Sequence, residues 1–272
     1  MTTDPDSAAH PDPHADRHER FTFAVELITD AGRVAMDYFD RVSTLTVNSK
    51  GVQDVVTEAD VNVEKLIKER LSGAYPTDAF LGEETGHADF PDSTGIWVVD
   101  PIDGTQPFVS GLRTWCVSIA YVRDGRVQFG LVNNPSQGEI FAGGLDRPAT
   151  LNDHPIAPHP GQAVTDGLVY LGASPRVGAA QVVPILDRLL RAGGMYVRNG
   201  SGALGLCDVA CGRLVGYIEP HINSWDCLGA VGVLEAAGCQ VTDFLDGDAL
   251  LTGNKIAAGP PAVFAELVAI LG

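Results

Sequence analysis

An apolar run that meets acidic residues at its end constrains the fold of this chain more than any other stretch. Residues 96–99 are predicted to form a buried strand, and Asp100, a proline, Asp103 and Gly104 follow it closely. The proline stiffens the turn that carries the two carboxylates. This stretch suits a divalent-metal site, and it suits equally well an Asp-Pro turn that caps a helix.

The residues after this turn are predicted to begin a helix. The amides of Gly104 and Thr105 would open it, and a helix N-terminus attracts anions. Gly104 also allows the backbone to approach a ligand closely. A metal ion and a phosphate group would then share one corner of the fold.

Composition and charge exclude several classes of protein. The chain has 272 residues, 45% of them hydrophobic and 19% charged, which is typical of one large globular domain or two joined lobes. The net charge of -17 argues against nucleic-acid binding, which needs clustered Lys and Arg. The five scattered cysteines indicate reduced core residues. Neither a signal-peptide pattern nor a membrane-length apolar segment is present, so we expect a cytoplasmic protein without membrane contact.

The order of patterns predicts two lobes. We expect a disordered tail over residues 1–18, where large apolar side chains are scarce, and a first amphipathic helix over residues 18–39. An N-terminal lobe with an antiparallel sheet is predicted over residues 19–155. Alternating strands and helices over residues 156–272 predict a C-terminal lobe with a mixed or parallel sheet. The predicted fold class is therefore α/β.

Three further acidic residues follow predicted strands or begin predicted helices. Asp60 lies in the first turn of a helix that Thr57 would cap, and Asp226 lies in the first turn of another. Glu83 follows a short strand as part of a Gly-Glu-Glu sequence. Taken singly, the two aspartates are typical of residues that complement a helix dipole, and the glutamate of a solvated surface.

Several segments carry a resemblance to a known family when they are taken together. The segments are Lys50, residues 54–60 (DVVTEAD), residues 82–84 (GEE), residues 97–108 (WVVDPIDGTQPF) and residues 225–238 (WDCLGAVGVLEAAG). Their order and spacing resemble those of the inositol monophosphatase family, from about residue 20 to the C-terminus. The resemblance implies a metal-dependent phosphomonoesterase of alternating α-β-α-β-α layers that usually forms a homodimer.

The resemblance also implies which residues hold Mg²⁺. Glu83, Asp100 and the carbonyl of Ile102 match the ligands of a first ion. Asp100, Asp103 and Asp226 match those of a second ion, and Glu83 also matches a residue that helps to hold a third, more weakly bound one. Two to three Mg²⁺ ions are therefore expected, and oxygen ligands of this kind are those that Mg²⁺ prefers.

Catalytic and phosphate-binding roles are implied in the same way. Asp60 and Thr105 match the pair that orients and activates the attacking water, and Glu83 is placed with them among the catalytic residues. The amides of Gly104 and Thr105 match contacts to the phosphate.

The chain departs from the family pattern near the expected substrate. Pro107 stands where an asparagine is common, and we expect the fold and the phosphate corner to tolerate it in a first helical turn. Ser201 replaces a threonine in the family's substrate-side Gly-Thr-Ala-Ala. Together with Glu219 and Asn223 it is predicted to contact substrate, which suggests a polyol-like or amine-bearing ester.

The sequence thus predicts Mg²⁺-dependent hydrolysis of a small phosphate monoester, with inositol monophosphate as the first candidate. Histidinol phosphate, fructose 1,6-bisphosphate, a nucleotide 3'-phosphate and a phosphorylated cyclitol are alternatives, because family membership does not settle the substrate. A different kind of protein, a regulatory or binding module on the same scaffold, is the other hypothesis. Crowded carboxylates argue against this hypothesis, because they repel one another and a protein that does not catalyse has no physical need to keep them together.

Overall fold

The protein forms helices and strands throughout the part of the chain that the computed structural model describes, which is residues 13–51, 54–87, 95–174 and 176–272. The α-helices of these residues are α1 (Pro13–Phe39), α2 (Glu58–Ala74), α3 (Thr105–Val109), α4 (Ala179–Arg191), α5 (Gly202–Ala210), α6 (Ser224–Ala236), α7 (Ala249–Thr252) and α8 (Pro261–Leu271). The strands are β1 (Val47–Gly51), β2 (Asp54–Thr57), β3 (Ala79–Gly82), β4 (Gly86–His87), β5 (Ile96–Asp103), β6 (Cys116–Arg123), β7 (Arg126–Asn134), β8 (Glu139–Gly144), β9 (Arg147–Leu151), β10 (His154–Pro155), β11 (Leu168–Leu171), β12 (Met195–Val197), β13 (Gly216–Ile222), β14 (Gln240–Val241) and β15 (Asn254–Gly259).

Two large sheets organise these strands. The larger one has eight strands in the order β10-β9-β8-β7-β6-β5-β3-β4, and the smaller one has five in the order β12-β11-β13-β15-β14. The larger sheet is mostly antiparallel, but β3 runs parallel to β5, with Gly82 opposite Val99. In the smaller sheet β11 runs parallel to β12 and β13, whereas β15 is antiparallel to β13. Strands β1 and β2 pair antiparallel in a separate two-stranded sheet.

Helices cover both sheets and fill the space between them. Helix α1 packs on β6 and β7 and α2 on β5, on the outer side of the larger sheet. Helix α6 contacts β5 to β8 on one side and β14 on the other, and α5 contacts α6 and β13. Helix α8 packs on β13 and β15, and α4 packs against α8. The layers therefore alternate as α-β-α-β-α, which confirms the predicted fold class.

Each layer boundary has its own apolar core. Helix α1 places Ala24, Leu27, Ile28 and Ala31 on one fully buried face, as the spacing of three and four residues requires. Most residues of α6 are buried, because this helix is apolar on nearly all sides and lies between the two sheets. This central packing holds the start of α6 against the end of β5, where the acidic residues lie.

Helix α1 begins at Pro13, five residues before the predicted start. The disordered tail predicted for residues 1–18 is therefore wrong for residues 13–18, and residues 1–12 lie outside the described residues. The added turns are held by ion pairs instead of apolar contacts: Arg17 pairs with Asp146, and Arg20 pairs with Asp16. A pattern of apolar side chains alone does not show such turns.

The division into lobes at residue 155 stays a prediction. Strand β10 ends the larger sheet at Pro155, and the smaller sheet begins with β11.

Among the helices of the described ranges, none combines the length and the apolar content that crossing a bilayer requires. The cytoplasmic location stays a prediction as well.

Candidate active site

A bulge in β5 places two acidic residues at the centre of the site. The pairing of β5 with β6 shifts register between Asp100 and Asp103. Pro101 lies in this interval and has no amide hydrogen for the ladder, and the Asp100 Oδ1 atom accepts a hydrogen bond of 2.9 Å from the amide of Ile102. The predicted strand over residues 96–99 is therefore shorter than β5, which continues through the bulge to Asp103.

Three carboxylates meet beside this bulge. One oxygen each of Glu83, Asp100 and Asp226 lies within 4.8 Å of the others. Glu83 reaches Asp100 because parallel strands β3 and β5 end side by side, and Asp226 joins them from the first turn of α6. The structure thus brings together three of the four predicted carboxylate ligands.

The negative charge of this cluster favours binding of a cation. Burial raises the pKa of Asp100 well above its usual range, and the negative charges of Glu83, Asp103 and Asp226 raise it further. Burial also raises the pKa of Asp226, and the positive charge of Arg176 partly offsets this. A hard divalent ion with oxygen ligands would relieve the repulsion, so the donor set fits Mg²⁺.

Asp103 lies beside this group and is held by the start of α5. Its Oδ2 atom accepts hydrogen bonds from the Ser201 hydroxyl at 2.5 Å and the Ala203 amide at 2.7 Å, and its Oδ1 atom accepts one from the Gly202 amide at 3.3 Å. Burial and the charge of Asp226 raise the pKa of Asp103 to about 7 against these hydrogen bonds. The fourth predicted ligand lines the same cavity, and the start of α5 anchors it.

The predicted water-orienting pair is in contact. Thr57 caps α2, and its amide and hydroxyl donate to the Asp60 Oδ2 atom at 2.9 and 2.7 Å. The other oxygen of Asp60 lies 3.2 Å from the Thr105 hydroxyl, which is also 3.2 Å from the Ile102 carbonyl oxygen. Asp60 is buried and fixed on one side, so it presents a defined acceptor to Thr105.

Helix α3 begins where the sequence predicts it. Gly104 precedes it with a φ of 94°, in the left-handed region that favours glycine. A Cβ at this position would lie 3.0 Å from the Thr114 carbonyl oxygen. Pro107 is the third residue of α3, so the helix forms with the proline in its first turn, as expected.

Glu83, Asp100, Asp103, Thr105 and Asp226 line one cavity of about 730 Å³, a size that suits a small-molecule ligand. Asp60 adjoins this cavity through its contact with Thr105. Glu219 lies in the cavity wall and accepts a hydrogen bond from the Tyr217 hydroxyl. Burial raises the pKa of Glu219 to about 8, although this hydrogen bond lowers it. Glu219 can thus accept hydrogen bonds in the cavity, or donate one when protonated, and its contact with substrate stays a prediction.

The other two predicted substrate contacts hold carboxylates. Ser201 is fully buried and caps α5 while it donates to Asp103. The amide side chain of Asn223 donates to the Asp226 Oδ2 atom at 3.1 Å. Both residues therefore support predicted metal ligands in this structure, and their contact with substrate stays a prediction.

Two tyrosines and two arginines are among the cavity residues that were not predicted as site residues. Tyr170 and Tyr217 stack with ring centres 4.8 Å apart and an angle of 8° between the rings. Arg176 and Arg198 add positive charge to the wall. Arg198 lies two residues before the Gly-Ser-Gly segment, and this position is the one feature of the sequence that could have indicated its place in the cavity wall. The tyrosines lie in strands that the fold alone brings to the site.

Comparisons with known proteins agree with this geometry. The model of the inositol monophosphatase family matches residues 16–271. A protein named Nus factor SuhB from Haemophilus influenzae is 31% identical over 90% of this chain and 92% of its own length. A protein named inositol-1-monophosphatase from Rhizobium meliloti is 32% identical over 86% and 89%. The structure of extragenic suppressor protein suhB from Bartonella henselae aligns with a TM-score of 0.84 and 30% identity over 92% of this chain and 97% of that one.

Proposed function

Since this chain belongs to the inositol monophosphatase family, we propose that it hydrolyses a small phosphate monoester with the help of Mg²⁺. One observation carries the proposal: a cluster of three carboxylates and the Thr105–Asp60 pair line or adjoin a single cavity. Inositol monophosphate is the first candidate substrate, because relatives named inositol-1-monophosphatase match most of the chain.

We assign the metal ligands as the resemblance implies. Glu83, Asp100 and the carbonyl of Ile102 would hold one Mg²⁺, and Asp100, Asp103 and Asp226 a second, with Glu83 also near a third. The longer hydrogen bond on the Asp103 Oδ1 atom, 3.3 Å, makes this oxygen the one better able to accept a ligand. Bound Mg²⁺ would supply positive charge that acidifies water and stabilises charge on the phosphate and on the leaving alkoxide.

The protein's own groups orient the reactants. The Thr105 hydroxyl donates to Asp60, which directs a lone pair of Thr105 toward a proton of the attacking water. The water oxygen would then form the new bond to phosphorus and lose a proton to solvent, while the ester P–O bond breaks and the leaving alkoxide takes up a proton from solvent water. The amides of Gly104 and Thr105, at the start of α3, would bind the phosphate oxygens.

The cavity wall favours a substrate that carries hydroxyl or amino groups. The Tyr217 hydroxyl fixes the Glu219 carboxyl group beside the proposed metal site. A fixed buried carboxyl group discriminates strongly between substrates that satisfy it and those that do not. Ser201 and Asn223 complete the proposed substrate side. Histidinol phosphate and sugar, cyclitol or nucleotide phosphates are the alternative substrates.

The name Nus factor, carried by relatives of about the same similarity, supports a second candidate function. In this alternative the chain is a binding module that acts through a macromolecular partner. Its measurable signature would be tight binding to a macromolecule without release of phosphate from any small ester.

We also propose that the chain forms a homodimer, and light scattering in solution tests this.

Replacing Asp100 tests the proposed reaction at its centre. Asp100→Asn removes a charged ligand that both proposed ions share, so phosphate release from inositol 1-phosphate should fall at least 100-fold, on the order seen for loss of essential groups. Asp124→Asn is the matched control, because Asp124 is 88% exposed in the turn between β6 and β7. Near-normal turnover by the Asp100→Asn protein would contradict the proposal.

A further inference from the structure

Helix α2 carries a second buried carboxylate one turn after Asp60. Glu64 is fully buried, although glutamate is rarely buried without a partner. Residues four apart lie on the same face of a helix, so Asp60 and Glu64 project to the same side of α2. The proposed reaction gives a role to Asp60 and none to Glu64.

The partners of Glu64 are backbone amides of the turn that carries Glu83. The Glu84 amide donates to the Glu64 Oε2 atom at 2.9 Å, and the Thr85 amide donates to the Oε1 atom at 2.8 Å. Both carboxylate oxygens are thus used on the two residues that follow Glu83. Hydrogen bonds to a charged, buried acceptor are among the stronger ones, and they fix direction as well as distance.

Gly82 allows this contact on the other side of Glu83. A Cβ at position 82 would lie 2.4 Å from the Glu64 Oε2 atom and 2.7 Å from a ring carbon of Phe80, so a larger residue would displace the carboxylate and press on that ring. The Glu83 amide itself donates to the Val99 carbonyl oxygen at 3.3 Å, which ties the turn to β5. Glu83 is therefore held between β5 and α2.

We propose that Glu64 is a positioning residue for the metal site, an inference that rests on the function proposed above. By holding the amides after Glu83, Glu64 sets the backbone from which the Glu83 carboxylate reaches Asp100 and Asp226. Because Asp60 lies on the same helix, α2 fixes the distance between the water-orienting group and this metal ligand. Glu64 acts through the turn and touches neither substrate nor metal.

Calorimetric titration of Mg²⁺ into the protein tests this role without relying on turnover. Glu64→Gln keeps the shape of the side chain but turns an NH₂ group toward one of the two amide donors, so one hydrogen bond is lost. We expect Mg²⁺ to bind about 10-fold more weakly, the lower end of the effect of residues that support metal ligands. Glu69→Gln is the matched control, since Glu69 is exposed on the same helix.

Gly82→Ala provides a second variant, in which the residue at position 64 is still glutamate. The added methyl group should push the Glu64 carboxylate from the turn and weaken Mg²⁺ binding in the same direction. A purely structural role for Glu64 would lower the melting temperature in EDTA without changing Mg²⁺ affinity. If Glu64→Gln does not fold, Gly82→Ala decides the matter by the same titration.

The outcomes separate this inference from the proposed function. Weaker Mg²⁺ binding by the Glu64→Gln or Gly82→Ala protein, with the Glu69→Gln protein like the wild type, supports the positioning role. In that case saturating Mg²⁺ should restore most of the turnover number of these variants, because all ligands remain. Wild-type affinity in both folded variants overturns the positioning role alone. Failure of the wild-type protein to bind Mg²⁺ overturns the proposed function, and the positioning role with it.

Discussion

Buried carboxylates at the site are stabilised in two different ways. Asp60 and Asp103 accept hydrogen bonds from hydroxyl and amide groups, which fix their oxygen atoms, although burial and the charge of Asp226 still raise the pKa of Asp103 to about 7. Asp100 faces the like charges of Glu83 and Asp226 in a buried position, which favour its neutral form. The first pair can therefore serve as fixed acceptors, whereas Asp100 gains most from a bound cation.

The Thr105 hydroxyl should be essential for turnover but not for folding. Thr105→Ala removes the group that donates to Asp60, and positioned proton-transfer groups contribute roughly 10²–10⁴-fold to rates. We expect the turnover number to fall by a factor in that range, with the circular dichroism spectrum unchanged. Thr105→Ser keeps the hydroxyl and should retain most of the activity. Equal loss in both variants would show that the hydroxyl is not the important group.

Glu219 should make the metal-free protein less stable as pH rises. Burial raises its pKa from 4.5 to about 8, so between these values the folded state binds more protons than the unfolded state. The contribution of Glu219 to the free energy of unfolding is therefore fully present below pH 4.5 and is lost as pH rises through about 8. In EDTA, urea unfolding at several pH values should show a slope for Glu219→Gln that is shallower by up to roughly 1.4 kcal/mol per pH unit.

The control for this experiment is Glu69→Gln, which changes an exposed glutamate. Its pH slope should match that of the wild type. Asp100, Asp103 and Asp226 also have raised pKa values and contribute to the slope in every variant. The difference between variants therefore reports Glu219 together with its charge interactions with Asp103 and Asp226. Identical slopes for the Glu219→Gln and wild-type proteins would contradict the burial of an ionisable group there.

Single residues of the site differed in how much the sequence revealed. Asp100 and Asp103 could be predicted because they follow an apolar strand directly, and such residues meet at a sheet edge. Glu64 could not be predicted, because it stands among the alternating charges of a helix whose polar residues are mostly solvated. Its burial depends on a turn that lies twenty residues further along the chain.

Four helices begin at the site, and their N-termini help to hold its negative charge. Thr57 and Asp60 begin α2, Gly104 precedes α3, Ser201 caps α5, and Asp226 lies in the first turn of α6. Amide groups at helix starts carry partial positive charge, which stabilises nearby carboxylates. The starts of α2, α3 and α6 were predicted from the sequence, whereas the capping role of Ser201 was not, and the convergence of the four starts follows from the packing of the layers.

Ser201 should stabilise the protein through the start of α5. Its hydroxyl donates to Asp103 and accepts from the Leu204 amide at 3.2 Å. Ser201→Ala removes both hydrogen bonds and should lower the free energy of unfolding by about 2 kcal/mol. Ser201→Thr keeps the hydroxyl and serves as the control. Urea denaturation measures both, and an unchanged midpoint for the alanine variant would contradict the capping role.

At the scale of the whole molecule, the central core unites the two predicted lobes. Apolar residues of the larger sheet, of α5 and α6 and of the smaller sheet form one continuous buried cluster, in which Val132, Leu228 and Tyr217 take part. The metal-ligand candidates come from both halves of the chain, with Asp100 from β5 and Asp226 from α6. The site is therefore complete only when the layers have packed.

Mg²⁺ should stabilise the folded protein, because only the folded state gathers the carboxylates. A ligand present at 100 times its Kd adds about 2.7 kcal/mol to the free energy of unfolding. We therefore expect the melting temperature to rise by several degrees in saturating Mg²⁺ relative to EDTA. Differential scanning fluorimetry measures this shift.

The Asp100→Asn variant tests whether the Mg²⁺-induced shift in melting temperature arises at the carboxylate cluster. The variant replaces a carboxyl group of raised pKa by a neutral amide of similar shape, so it should melt no lower than the wild type in EDTA. It should also lose most of the shift that Mg²⁺ produces. A full Mg²⁺ shift in this variant would show that the ion binds elsewhere.

The order of strands and helices and their layering could be predicted before the structure, whereas the cavity wall could not. Strand and helix periodicities predict which elements form, and the resemblance predicts their layering. Tyr170, Tyr217 and Arg198 reach the cavity through pairing within the smaller sheet and through packing of α5, which local patterns do not encode. The early start of α1 was missed because ion pairs of Arg17 and Arg20 hold it.

Phosphate release from a panel of esters is the most direct test of the proposed hydrolysis. The panel comprises inositol 1-phosphate, histidinol phosphate, fructose 1,6-bisphosphate and adenosine 3',5'-bisphosphate, each with Mg²⁺ and with EDTA. We expect one ester to exceed the others clearly in kcat/KM and all activity to disappear in EDTA. Folded protein that binds Mg²⁺ yet releases phosphate from none of these esters would contradict the proposed hydrolysis and favour the binding-module alternative.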